Sequence, residues 1–142
     1  MRTVLALILA PLPALAWEFS PDPLCTLTHQ APEAEITITY DAALPEYALF
    51  ITLRDGTWPD APTFAMEFFG PRPLAIGTDR HSADGATLTV RDSGYGNVLD
   101  GLEFNTTAVA TSGARRVQIA LDAAAPAVQA FRACPSNAPA TS

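Results

Sequence analysis

Lysine is absent from this sequence of 142 residues; all eight basic residues are arginines. That absence removes Schiff-base chemistry, the phosphate-binding lysine of a nucleotide loop and Ser-Lys catalysis. Histidine and cysteine are scarce, with two of each. The cysteines stand far apart, so no C-x-x-C pair exists for redox exchange. Two separated histidines do not supply a zinc ligand set, and no motif implies a cofactor. Positive charge is also short, since fifteen acidic residues against eight arginines give a net charge of −7. Such a chain repels phosphate backbones and anionic lipid head groups, which argues against nucleic-acid and membrane-surface partners. The G-x-S-x-G elbow of the α/β-hydrolases is missing too.

Long apolar runs are confined to the start. Residues 1–16, MRTVLALILAPLPALA, carry Arg2, then an apolar run from Val4 to Leu15, then Ala14-Leu15-Ala16. The run is too short to span a bilayer, and Pro11 and Pro13 interrupt it. A small-x-small ending after such a run predicts a secretory signal that is removed, leaving Trp17 first. The expected location is periplasmic or secreted, with no membrane anchor. What remains is 126 residues, the size of one domain with a real core. We expect that domain over residues 17–134, followed by a small, polar and disordered tail at 135–142.

The stretch "PDPLCTLTH" contains Cys25. Asp22-Pro23-Leu24 before it does not fit a lipidation site, so this cysteine is not a lipid anchor. The only other cysteine is Cys134, and two cysteines in an oxidising compartment pair by default. A Cys25–Cys134 bridge is therefore expected, closing nearly the whole mature chain into a loop.

Between the cysteines the hydrophobic period is two. Residues 17–33 hold Pro21, Pro23 and Pro32 and read as an irregular arm. "AEITITY" then places Ile36, Ile38 and Tyr40 on one face, and "YALFITLR" does the same with Tyr47, Leu49, Ile51 and Leu53. In "TFAMEFF", Phe64, Met66 and Phe68 align; Leu74 and Ile76 follow in a further strand. Asp84-Gly85 predicts a hairpin into "ATLTVRD", whose Leu88 and Val90 alternate with polar residues. "NTTAVATSG" and "RRVQIAL" supply two more strands, while "VLDGLEF" leaves helix and strand open. Strict alternation between Gly, Pro and Asp punctuation is the mark of half-buried antiparallel strands. In "DAAAPAVQAFRAC", Asp122 fits a cap, Pro126 fits a first turn, and Val128 and Phe131 share a face. These features predict one short C-terminal helix ending at Cys134. The fold class is mainly β: a small antiparallel sandwich or barrel with one closing helix.

Three features are candidate sites. "RDSGYG" carries Ser93 in a context like that of a serine nucleophile, and His29, Asp60 and Ser93 follow the order of a chymotrypsin-type triad. A glycine turn needing positive φ explains the stretch more simply. "TDRHSAD" offers Asp79, Arg80, His81, Ser82 and Asp84, with His81 or Asp79 as a base or weak metal ligand. Its place at a hairpin tip accounts for polar residues on backbone grounds alone. The third feature is apolar: Trp58, Phe50 and Phe69 fall beside or opposite the inward residues of their strands. That pattern means either a sheet buried on both sides or an exposed binding patch. Asn105-Thr106-Thr107 matches the N-glycosylation sequon, a signal without meaning in a bacterial chain.

Taken together, the signal ending in Ala-Trp, then "CTLTH", "GNVLDGLEF" and "AFRAC" resemble a family of small exported alphaproteobacterial proteins of unassigned function. Some members of that family go under the name of an excinuclease component, a DNA-repair ATPase. Such an ATPase needs G-x-x-x-x-G-K-[ST], which a chain without lysine does not have. The early cysteine, the β-rich body and the closing helix also look like the layout of the invasion-associated locus B family. Neither resemblance transfers a catalytic residue. The expectation is an exported, non-enzymatic domain binding a protein or cell-envelope partner. Its alternatives are a small hydrolase using Ser93 or His81, or a carrier of an apolar small ligand.

Overall fold

Alternating burial organises the chain into ten strands among the described residues, and two helices complete it. The computed structural model describes residues 16–137, so residues 1–15 of the expected signal lie outside the described residues. One sheet has six strands in the order β1-β2-β3-β4-β8-β7. These are β1 (Glu18–Ser20), β2 (Cys25–Gln30), β3 (Ala34–Asp41), β4 (Glu46–Leu53), β7 (Ser82–Asp84) and β8 (Thr87–Asp92). The second sheet runs β10-β9-β5-β6, built from β5 (Phe64–Phe69), β6 (Leu74–Thr78), β9 (Thr107–Ser112) and β10 (Arg115–Ala120). Every pairing is antiparallel. The two sheets pack face to face as a sandwich, as the alternation predicts.

The inner faces are the expected ones. Ile36, Ile38, Leu49, Ile51 and Leu88 on the larger sheet meet Phe64, Met66, Phe68, Val117 and Ile119 on the smaller, all of them buried. Trp58 closes this core from the loop before β5, with its indole Nε1 donating to the Ile51 carbonyl at 3.0 Å. Gly85, with φ 60°, begins the two-residue turn between β7 and β8 that Asp84-Gly85 predicts.

Three expectations need correction. Residues 17–33 are not an irregular arm. Pro21 and Pro23 lie in the connection between β1 and β2, and Cys25, Leu27 and His29 point inward from β2. Trp17 is buried there, stacked on the His29 ring with centroids 4.5 Å apart and donating to the Ala120 carbonyl at 3.1 Å. Second, the "SGYG" stretch is not a turn of positive φ, since neither Gly94 nor Gly96 has it; Gly96 begins helix α1 (Gly96–Phe104), which settles as helix the segment left open. Third, the closing helix α2 (Ala124–Asn137) continues past Cys134, so part of the expected tail is helical. Residues 138–142 of that tail lie outside the described residues. Asp122 stands apart from the start of this helix, because Ala123, at φ 59°, intervenes.

Both helices belong to the core. Val128 and Phe131 of α2 are fully buried, and the helix lies against β1 and β2. The expected bridge is present: Cys25 and Cys134 are joined, with their Cα atoms 6.1 Å apart. Helix α1 packs on α2, where Arg132 pairs with Asp100 at 2.7 Å and with Glu103 at 3.0 Å. Asn105 ends α1. Its Nδ2 donates to the Gly101 carbonyl at 3.0 Å and the Arg72 carbonyl at 2.8 Å, while its Oδ1 accepts from the Arg72 N–H.

His29 is a buried group sensitive to acid. Burial lowers its pKa from the ordinary 6.5, against a smaller upward push from a hydrogen bond to the Ala16 backbone. The folded chain thus holds the ring neutral while the unfolded chain takes up a proton as pH falls below 6.5. Stability is expected to decline from there until the folded-state value is passed. Urea midpoints measured between about pH 7.5 and 5.5 check this. The slope should vanish in His29→Phe, which stacks on Trp17 without titrating.

Candidate functional site

The smaller sheet has four strands among the described residues, so its edge strand β6 lies over the larger sheet without a further neighbour. Facing it, β8 is flanked by β7 only across Thr87–Thr89, and its last residues Val90–Asp92 run on paired with β4 alone. The chain then turns through Ser93 and Gly94 into α1. A cleft of about 450 Å³ opens between β6, the end of β8 and the first turn of α1. Its floor is the inner face of both sheets, Leu49, Phe64 and Met66, and its walls carry Ile76, Val90 and Val98. Thr78 and Asn97 bring polar groups to it, and Arg80 faces Asp92 with 3.8 Å between guanidinium and carboxylate.

Tyr95 anchors the cleft. Its ring is buried, stacks against Tyr47 with centroids 5.2 Å apart, and its hydroxyl donates to the Val90 carbonyl. Burial pushes the phenol pKa well up, so the group remains a neutral donor at any working pH. The arrangement is an apolar pit with a few polar groups around it, the general form of a recognition site.

The residues singled out in the sequence fall in several places. Ser93 is exposed beside the cleft; its N–H donates to Asp92 Oδ1 at 2.7 Å, and its hydroxyl lies 3.4 Å from the same oxygen. His29 shares a register row with Ile36, Ile51 and Leu88, three strands away from β8. At about 4.8 Å per strand and 3.3 Å per residue, roughly 20 Å separates it from Ser93. Ser93 therefore has a carboxylate within reach and not the His29 imidazole, and the triad order of His29, Asp60 and Ser93 is not a triad in space. His81 is half-buried, and its Nε2 donates to the Ala61 carbonyl at 3.0 Å. It ties down the loop between β4 and β5, whereas Asp79, Arg80, Ser82 and Asp84 around it are exposed. Among the described residues no three His, Cys, Asp or Glu side chains gather as a metal site.

The apolar trio does not form one surface. Trp58 is core; Phe50 lies on the outer face of the larger sheet beneath the Arg91 guanidinium, 5.5 Å from its ring centre. Phe69 is 45 % exposed on the other sheet. What the sequence reading missed is the cleft itself, whose lining comes from four strands and a helix between Leu49 and Val98. One signal was available: Gly77 sits in it, inside a strand, without a turn to explain it.

Comparison with protein-family models, with curated proteins and with solved structures finds no match to this chain. The site must be read from its own geometry.

Proposed function

We propose that this chain is an exported binding domain that engages a protein or cell-envelope partner through the β6–β8 cleft and performs no chemistry on it. The observation that carries this reading is the cleft: an apolar floor open to solvent between β6 and the end of β8, each of which is paired on one side only among the described residues. The intramolecular disulfide agrees with a life outside the cytosol. Among the described residues no helix is long and apolar enough to cross a membrane.

Gly94→Trp tests the assignment. A Cβ at Gly94 meets nothing within 4 Å, so the indole can occupy the cleft while the fold is kept. Immobilised wild type should retain a partner from envelope extract that the variant, equally folded by circular dichroism, does not. Equal retention by both would remove the cleft from the function. Ester hydrolysis abolished by Ser93→Ala would overturn the non-enzymatic reading itself.

A further inference from the structure

Eight glycines are present, and five have a structural reason. Gly56, Gly70, Gly85 and Gly113 have positive φ, and Gly101 backs onto the Phe68 ring. The other three, Gly77, Gly94 and Gly96, have neither. A Cβ would meet nothing within 4 Å at Gly94 and Gly96, and only the Phe64 carbonyl, at 3.9 Å, at Gly77. All three line the same cleft. Gly77 lies inside β6 with no bulge in its pairing, a position where a ligand or another backbone comes close, while Gly94 and Gly96 stand in the bend after β8 and at the start of α1.

Main-chain groups await such a partner. The outer edge of β6 presents N–H and C=O groups over Leu74–Thr78, and among the described residues its strand pairing is with β5 alone. An exposed edge of this kind is a template for one more strand. A small molecule is held by walls that enclose most of it, and this cleft is open along that edge. An added strand would send every second side chain, about 6.6 Å apart, toward the floor. Charge adds a preference. Arg80 is matched by Asp92 and Arg91 by Glu46, whereas Asp79, exposed and next in the chain to the lining residues Thr78 and Arg80, has no such match among the described residues of a chain of net charge −7. Cations complement that surface.

We propose, building on the binding reading above, that the cleft takes an extended basic peptide segment of another protein, paired with β6 and filling the pit with alternate apolar side chains. The probe is a capped peptide of about seven residues, valine alternating with arginine, long enough to cover β6. It is titrated into the full chain while the backbone amides are followed by NMR. Two further probes carry N-methyl groups on the odd or on the even amides. A paired strand turns only alternate N–H groups to its neighbour. Amides of Leu74–Thr78 should shift, and one methylation phase should weaken binding at least about tenfold while the other changes it about twofold or less. Raising salt from about 50 to 300 mM should weaken it several-fold.

Equal tolerance of both methylation phases, or no response along β6, overturns the strand-pairing proposal. Salt independence overturns its basic character. If the peptide fails while Gly94→Trp still abolishes partner capture, the cleft remains the binding site and only the peptide assignment falls. If Gly94→Trp has no effect on capture either, the binding reading falls with it.

Discussion

Replacing Cys25 and Cys134 together by alanine is expected to lower unfolding free energy by about 4–5 kcal/mol, the largest effect of any change proposed for this chain. The bridge closes a loop of 109 positions, and long loops gain most from closure in the chain-entropy description. The variant should still fold, because Val128 and Phe131 keep α2 in the core without the sulfurs. Urea denaturation of the double variant against the oxidised wild type is the measurement. A difference under about 1 kcal/mol would mean that packing alone holds the ends of the domain together. Both cysteines are buried, so reductant added to the native protein should act slowly, and the substitution is the cleaner comparison.

Gly101→Ala should be a damaging single methyl. A Cβ at this position of α1 would lie 2.5–2.6 Å from three atoms of the Phe68 ring. The ring is itself buried at the centre of the core, so it has little room to retreat. Overpacking of this kind costs about 1–3 kcal/mol, more than the roughly 1 kcal/mol that alanine gains over glycine in a helix. A net loss of up to about 2 kcal/mol is expected from thermal or urea melts. Phe68→Leu provides the check. Alone it destabilises by opening a cavity; combined with Gly101→Ala it should recover part of the loss, a coupling of opposite sign to simple addition. Additive behaviour would show that the ring and the helix do not press on each other.

Much of the sandwich was legible because its strands keep strict alternation. Ile36-x-Ile38, Phe64-x-Met66-x-Phe68 and Val117-x-Ile119 each announce an inner face, and each is buried. The first two strands were hidden by composition. Prolines at 21 and 23 suggested an irregular arm, yet they only mark the link between β1 and β2. The inward residues of β2 include Cys25 and His29, which do not register as an apolar stripe even though both are buried. Helix α1 was obscured in a different way. Tyr95 precedes it without a side-chain capping bond, and Gly101 lowers its helix propensity. Its real determinant is tertiary: the glycine is there so that the helix can approach Phe68.

The candidate site was less legible than the fold. Ser93 and His81 attracted notice by residue type, but chemistry depends on neighbours, and theirs are Asp92 and a backbone carbonyl. The cleft is assembled by sheet order, since β4 pairs with β8 across a gap of more than thirty residues that includes β5 and β6. No local pattern encodes that. Trp58 was open in sequence between a buried and an exposed reading, and the fold decides it: the indole satisfies a carbonyl in the core.

The position of Asn105 has a practical consequence for anyone producing this protein. It begins the triplet Asn105-Thr106-Thr107, and its amide nitrogen is committed to two carbonyls inside the fold. In a eukaryotic secretory host, oligosaccharide transfer reaches a nascent chain before such an amide is enclosed. A sugar on that nitrogen would then block the seam between α1 and the β5–β6 connection, so bacterial production, or an acceptor triplet disabled at Thr107, is the safer course.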